Sequence, residues 1–269
     1  MTYKMIVLDL DDTLLMEDHT ISPLTKRTLI KAQEEGIYVV LASGRPTYAM
    51  RELANELELH QFGSYIVSFN GGKVTNCKTN ATIFSSTVRS KDVKDLYDIS
   101  KKESVHIHTY VGDVIVTEKN NPYTTIEADI TGLPVIEVED FVAAVTEEPV
   151  KILMVEDPEI LKSLERKLQR TLSDRFSVVR SKPYFLEFTE KGVTKGTSLD
   201  FLIKQLDIKR EEVIAVGDSY NDQAMIEFAG LGVAMGNAPE DIKEIADFVT
   251  LSNMEDGVAH VVEQFIFKK

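Results

Sequence analysis

The sequence predicts an α/β protein: a doubly wound parallel-sheet core into which a second α/β domain is inserted. Two observations predict it. Short apolar runs with little internal alternation are interleaved with segments of helical periodicity, and this pattern stops near residue 84 and resumes near residue 190. Such runs suit strands buried on both faces, and their alternation with helices gives a parallel sheet.

Residues 5–10, 38–42 and 65–69 are the first three predicted strands. Between the first two, residues 22–36 read as a helix, with Pro23 in its first turn, Leu24, Thr28 and Ala32 at helical spacing, and Gly36 where a left-handed C-cap belongs. The middle differs. Residues 105–110 and 114–117 flank a Val-Gly-Asp turn and predict an antiparallel hairpin. Asp157 and Pro158 then open an amphipathic helix with Ile160, Leu164, Leu168 and Leu172 on its apolar stripe, and short strands follow at 176–179 and 185–188. Helix and strand alternate again afterwards: helix 195–206, strand 213–216, helix 222–229, strand 232–235. The expected organisation is a core of residues 1–83 and 190–269 with residues 84–189 inserted.

Charge narrows the partners. The 44 acidic residues against 30 Lys and Arg give a net charge of −14, which repels nucleic acid and anionic lipid at long range. No nucleic-acid or membrane partner is expected, and a phosphorylated small molecule would need a local site that reverses the global field. A single cysteine, Cys77, allows no intrachain disulfide, and no run approaches the roughly 18 apolar residues of a spanning helix, so the expected compartment is the cytoplasm. Oligomeric state is left open.

Asp9, Asp11 and Asp12 end the first predicted strand, where open α/β sheets place their ligands. Alone, they would also suit an acidic turn with Asp12 or Thr13 capping a helix. The strand 213–216 leads into a second acidic loop, Gly-Asp-Ser-Tyr-Asn-Asp over residues 217–222, and parallel neighbours would bring the two loops together. Oxygen donors without cysteine or clustered histidine select a hard cation, and a site shared with phosphate suits Mg2+ better than calcium. A third strand end carries Ser43 and Gly44, a hydroxyl and backbone N–H groups fit to hold phosphate oxygens. Lys195 opens a predicted helix against the helix dipole, which favours a functional reason for its charge.

These residues are the parts of phosphoryl transfer to a carboxylate. The segment Asp-Leu-Asp-Asp-Thr at 9–13 resembles the first motif of the haloacid dehalogenase-like phosphatases, Ser43 the second, Lys195 the third and residues 217–222 the fourth. The strings Ala-Ser-Gly-Arg at 42–45, Phe-Asn-Gly-Gly at 69–72 and Val-Ala-Met-Gly-Asn-Ala at 233–238 resemble further the Cof-type branch, which carries a type IIB α/β cap between the second and third motifs. Ser43 stands where threonine is frequent in that branch.

The resemblance implies a phosphatase of small phosphomonoesters, sugar phosphates foremost. It implies Asp9 as nucleophile and Asp11 as general acid and base. Magnesium would be held by Asp9, the backbone carbonyl of Asp11, and Asp218. Phosphate would be bound by Leu10 N–H, Ser43, Gly44 N–H, Lys195 and Asn221, with Asp222 supporting Lys195 or a metal-bound water. Arg45, Asn70 and Gly71 stand at core strand ends as supporting residues, and the cap would act as a lid. His106, His108 and Tyr184 suit a cap pocket or plain packing. A phosphomutase, or a regulatory protein sensing a phosphorylated metabolite with little turnover, would use the same motifs.

Overall fold

The computed structural model describes residues 3–268. Each apolar run becomes a strand and each periodic segment a helix. In chain order these are β1 (Met5–Leu8), α1 (Pro23–Glu34), β2 (Tyr38–Ala42), α2 (Thr47–Glu56), α3 (Leu59–Phe62), β3 (Tyr65–Ser68), β4 (Lys73–Asn76) and β5 (Thr82–Ser85). There follow α4 (Ser90–Glu103), β6 (His106–Val111), β7 (Val114–Thr117), α5 (Pro122–Thr131), β8 (Val135–Glu137), α6 (Phe141–Ala144), β9 (Ile152–Val155), α7 (Pro158–Leu172), β10 (Phe176–Lys182) and β11 (Phe185–Glu190). The last segment holds α8 (Lys195–Gln205), β12 (Val213–Gly217), α9 (Gln223–Phe228), β13 (Leu231–Ala234), α10 (Glu240–Ile245), β14 (Phe248–Val249) and α11 (Gly257–Val262).

Contacts divide the chain into two units, 1–84 with 194–269, and 85–193. The expected insertion, 84–189, begins one residue earlier and ends four earlier. Phe84 stays with the first unit because its ring packs on Phe201 at 5.0 Å, and Glu190 goes with the second because it pairs with Phe176 and accepts a hydrogen bond from Ser86.

In the first unit the sheet order is β14-β13-β12-β1-β2-β3-β4-β5. Strand β1 is paired in parallel on both sides, Val7 lying opposite Ala215 on β12 and Val40 on β2. Its alternate residues serve two apolar layers. Ile6 and Leu8 pack with Leu29 and Ala32 of α1 and Val258 and Val261 of α11, whereas Met5 and Val7 pack with Leu199, Leu202 and Ile203 of α8. This is why the run shows no polar alternation. An antiparallel extension, β4 on β3, was not predicted, since Lys73–Asn76 carries too little apolar character to announce itself.

The second unit is a six-stranded sheet, β10-β11-β9-β6-β7-β8. Helix α7 buries Leu161, Leu164, Leu168 and Leu172, while Ile160, assigned to the stripe from sequence, is 50% exposed. One residue on a helix turns the side chain by about 100°, so Leu161 takes the inward place and Ile160 faces out. Tyr184 stacks on Tyr123 at 5.6 Å, and His106 lies 3.9 Å from Glu156. Among the described residues no helix is long and apolar enough to cross a membrane.

His108 is a packing residue with a measurable consequence. It is fully buried on β6, with Nδ1 3.0 Å from Thr124 Oγ1 of α5. Burial, helped by the charge of Lys151, pushes its imidazole down to about 3. The unfolded chain therefore binds the proton first, below about 6.5, and stability falls as pH drops from there toward 3. At pH 5 this histidine costs about 2 kcal/mol relative to pH 7. Urea unfolding should show the destabilisation caused by His108→Gln shrinking by that amount between pH 7 and pH 5; a gap independent of pH would refute a neutral His108.

Candidate active site

The carboxyl ends of β1 and β12 lie side by side, and Asp9 N–H still donates to Val216 O at 3.0 Å. Beyond Asp9 the chain makes one wide turn, closed by Leu14 N–H to Asp9 O (3.3 Å) and Leu15 N–H to Leu10 O (2.9 Å). Leu10, fully buried, and Leu14 anchor that turn in the core. The predicted strand of residues 5–10 thus ends at Leu8, and Asp12 adopts a left-handed conformation with φ 58°. The turn sends the Thr13 hydroxyl to Asp218 Oδ1 at 2.8 Å.

At the end of β12, Gly217 permits a fold-back. A Cβ there would stand 2.5 Å from that of Asp222, so a side chain would displace Asp222. Asp222 is fully buried, and its Oδ2 accepts from the N–H groups of Asp218 (3.1 Å) and Ser219 (3.0 Å). Its Oδ1 accepts from Lys195 Nζ at 2.6 Å, and the same ammonium donates to Asp9 Oδ1 at 2.5 Å. Lys195 begins α8 behind a Thr194 cap closed by Thr197, so two carboxylates offset both its burial and the adverse helix dipole.

Burial pushes the Asp9 carboxyl above the ordinary range; Lys195 pulls it down, and Asp222 and Asp218 add to the rise. Burial raises Asp218 to about 6 against the Thr13 hydrogen bond. Burial works against the Lys195 ammonium, but Asp9 and Asp222 together hold its pKa above that of an ordinary lysine. Oxygens of Asp9, Asp218 and Asp222 lie within 4.8 Å of one another. Three carboxylates against one ammonium, all oxygen donors, fit a hard divalent cation such as magnesium. Asp222 has both oxygens engaged, so Asp9 and Asp218 are the side chains with oxygens to spare. Asp11 has its carboxylate elsewhere, in two hydrogen bonds from Arg45: Nε to Oδ2 at 3.1 Å and Nη2 to Oδ1 at 2.5 Å.

The end of β2 meets the end of β3. Ser43 is buried, its N–H donates to Val67 O (2.9 Å), and its hydroxyl oxygen accepts from Arg45 N–H (3.2 Å), which leaves the hydroxyl proton free to donate. Phe69, Asn70 and Gly71 all have positive φ, at 54°, 55° and 100°. Asn70 N–H to Ser43 O (2.9 Å) and Phe69 N–H to Arg45 O (3.0 Å) tie this turn to the Ser43 loop. Gly44 lies under the Asn70 amide, where a Cβ would approach Nδ2 to 3.1 Å, and at Gly71 a Cβ would collide with the Thr194 carbonyl. Asn221 Nδ2 donates to Asn70 Oδ1 at 3.1 Å.

Asp9, Asp222 and Lys195, all buried, thus form one cluster with the half-buried Asp218, Asp11 and Arg45 form an ion pair beside it, and Ser43, Gly44, Asn70 and Asn221 a second linked group. Sequence reasoning missed two features. Thr13 stands in the sequence as a helix cap or as the last residue of the 9–13 motif, with no sign of its bond to Asp218. Asn237 and Asn253, which bond to the carbonyls of Asp12 and Leu15, carry no signal beyond a Gly-Asn-Ala string at 236–238.

Residues 6–262 match the haloacid dehalogenase-like hydrolase family. A Bacillus subtilis protein, 5-amino-6-(5-phospho-D-ribitylamino)uracil phosphatase YitU, is 32% identical over 266 residues, covering 97% of each chain. A haloacid dehalogenase-like hydrolase from Bacteroides thetaiotaomicron superposes with a TM-score of 0.92 at 44% identity, over 98% of this chain and 99% of that one. A subclass IIB sugar phosphatase, BT4131, gives a TM-score of 0.78 at 28% identity, over 97% and 98% of the two chains. The chain therefore belongs to the haloacid dehalogenase-like hydrolases, in the branch of phosphatases with a type IIB α/β insertion.

Proposed function

We propose that this hydrolase is a magnesium-dependent phosphatase of small phosphomonoesters, sugar phosphates foremost, working through an aspartyl-phosphate on Asp9. The observation that carries the reading is the Lys195 ammonium, buried and bonded to both Asp9 and Asp222 at the end of β1. An ammonium so placed favours the ionised, nucleophilic form of Asp9 and adds positive charge where phosphoryl oxygens must sit.

In the first step an Asp9 oxygen attacks phosphorus, the ester P–O bond breaks, and the leaving oxygen takes a proton from Asp11, which enters this step protonated and released from the Arg45 ion pair. In the second, water attacks the phosphoryl group and gives a proton to Asp11, and Asp9 is released with inorganic phosphate. Asp9, the Asp11 carbonyl and Asp218 would hold a magnesium ion, which when bound would neutralise charge on the phosphoryl group. Ser43, the N–H groups of Leu10 and Gly44, Lys195 and Asn221 bind the remaining oxygens. Asp222 orients Lys195, Asn70 and Gly71 support the Ser43 loop, and Arg45 fixes the Asp11 carboxylate before substrate arrives. All of these belong to the first unit. The substrate class rests on the relatives: a sugar phosphatase and a ribityl-phosphate phosphatase both act, by name, on phosphate carried by a polyhydroxylated carbon chain.

Phosphate release from a panel of sugar, polyol, nucleoside and cofactor monophosphates is the direct test. Release should fall at least about 100-fold in EDTA, return with magnesium and not with calcium, and favour the sugar and polyol esters. Hydrolysis unaffected by EDTA would end the metal-dependent reading. Phosphate transfer between sugar positions without net release would replace the phosphatase by a phosphomutase.

A further inference from the structure

The Asp9 turn is braced from outside the catalytic cluster. Asn237, in the turn after β13, donates through Nδ2 to Asp12 O at 2.8 Å. Its Oδ1 accepts from Asn253 N–H at 3.1 Å, and Asn253 Nδ2 donates to Leu15 O at 2.8 Å. Two asparagines from separate loops thus hold each other and both ends of the segment 12–15. They clasp it at its left-handed residue, Asp12, with φ 58°, a conformation that aspartate tolerates as a single residue but at some cost over the ordinary ones. The next residue is Thr13, whose hydroxyl occupies Asp218 Oδ1.

We infer that Asn237 and Asn253 are positioning residues for the cation site: by fixing the carbonyls of Asp12 and Leu15 they aim Thr13 at Asp218 Oδ1 and leave the other Asp218 oxygen available to a metal ion. Neither asparagine touches substrate. The chain of contacts runs from Asn253 to Asn237, to the Asp12 carbonyl, to Thr13, to Asp218. Outer partners of metal ligands matter in this way because they set ligand orientation, and their loss weakens metal binding by about 10–100-fold. The inference rests on the metal-dependent reading above.

The test uses the full chain with Asn237→Ala, Asn253→Ala and the double variant. Unfolding temperature is measured without metal and across a MgCl2 titration, and phosphate release is measured beside it. Each single variant should need about tenfold more magnesium for half of the thermal shift and lose about tenfold in kcat, with substrate KM within about twofold. The double variant should resemble the singles, since either cut breaks one brace. Should Asn237→Ala fail to fold, Asn253→Ala breaks the same brace from its other end. Variants that match wild type in magnesium requirement, or that only lower the metal-free unfolding temperature, overturn the inference while leaving the phosphatase reading intact. A wild type with neither a magnesium shift nor phosphate release overturns both.

Discussion

Asp9→Asn is expected to lower turnover by about four orders of magnitude or more while leaving the fold intact. The amide keeps the shape of the side chain but cannot attack phosphorus, and the barrier rises by at least about 5 kcal/mol. Stability should move the other way from a typical core substitution. Asp9 is 5% exposed and shares one ammonium with Asp222, so neutralising it relieves burial of charge and leaves Lys195 paired with Asp222 alone. The metal-free unfolding temperature should therefore be unchanged or higher, and the shift produced by magnesium should largely disappear. Turnover surviving in Asp9→Asn would refute the covalent mechanism, and a collapsed fold would refute the electrostatic account of the cluster.

Lys195→Met should be costly in both respects. Its Nζ is the shared donor between two buried carboxylates, and methionine restores the volume without the charge. Removing one partner of a buried ionic cluster costs about 3–5 kcal/mol, part of which proton uptake by the orphaned acids will offset. That uptake fixes the sign of the pH dependence. Without the ammonium the Asp9 carboxyl rises further above its unfolded value, so the native state binds more protons than the unfolded one and stability falls as pH increases. Chemical denaturation should find the variant weakest near pH 8 and closest to wild type near pH 5. Phosphatase activity should fall roughly 100-fold or more at saturating magnesium. A variant as stable and active as wild type at pH 8 would remove Lys195 from the mechanism.

What was legible in the sequence follows from which interactions are local. Strands β1, β2, β3 and β12 announce themselves because both faces are buried, so their apolar runs are unbroken. The sequence also singles out Asp9, Asp218, Asp222 and Lys195, through two acidic strings at the ends of predicted parallel strands and a lysine set against a helix dipole. Distances among them are another matter, depending on β1 pairing with a strand some two hundred residues away. Left-handed Asp12, Phe69 and Asn70 were invisible, because their conformations are imposed by tertiary hydrogen bonds and none is a glycine. The bonds of Asn237 and Asn253 were equally hidden: the 233–238 string marks Asn237, but nothing in it points to backbone carbonyls more than two hundred residues away. The slip from Leu161 to Ile160 shows the lesser limit: periodicity finds a helix more readily than its rotation.

The pairing of β1 with β12, across the unit 85–193, also orders events during synthesis. Strand β1 and its three aspartates leave the ribosome early with β2 as a neighbour, and the whole second unit follows before Lys195 or Asp222 exists. The second unit can complete its own sheet in that interval, as sequential domains do. The first unit cannot close until β12 slots between β13 and β1, and the segment that closes it is the one that also delivers the ammonium and the fourth-motif acids. Assembly of the acidic cluster and arrival of its counter-charge are thus a single step, so a half-made chain never has to stabilise a buried patch of unpaired carboxylates.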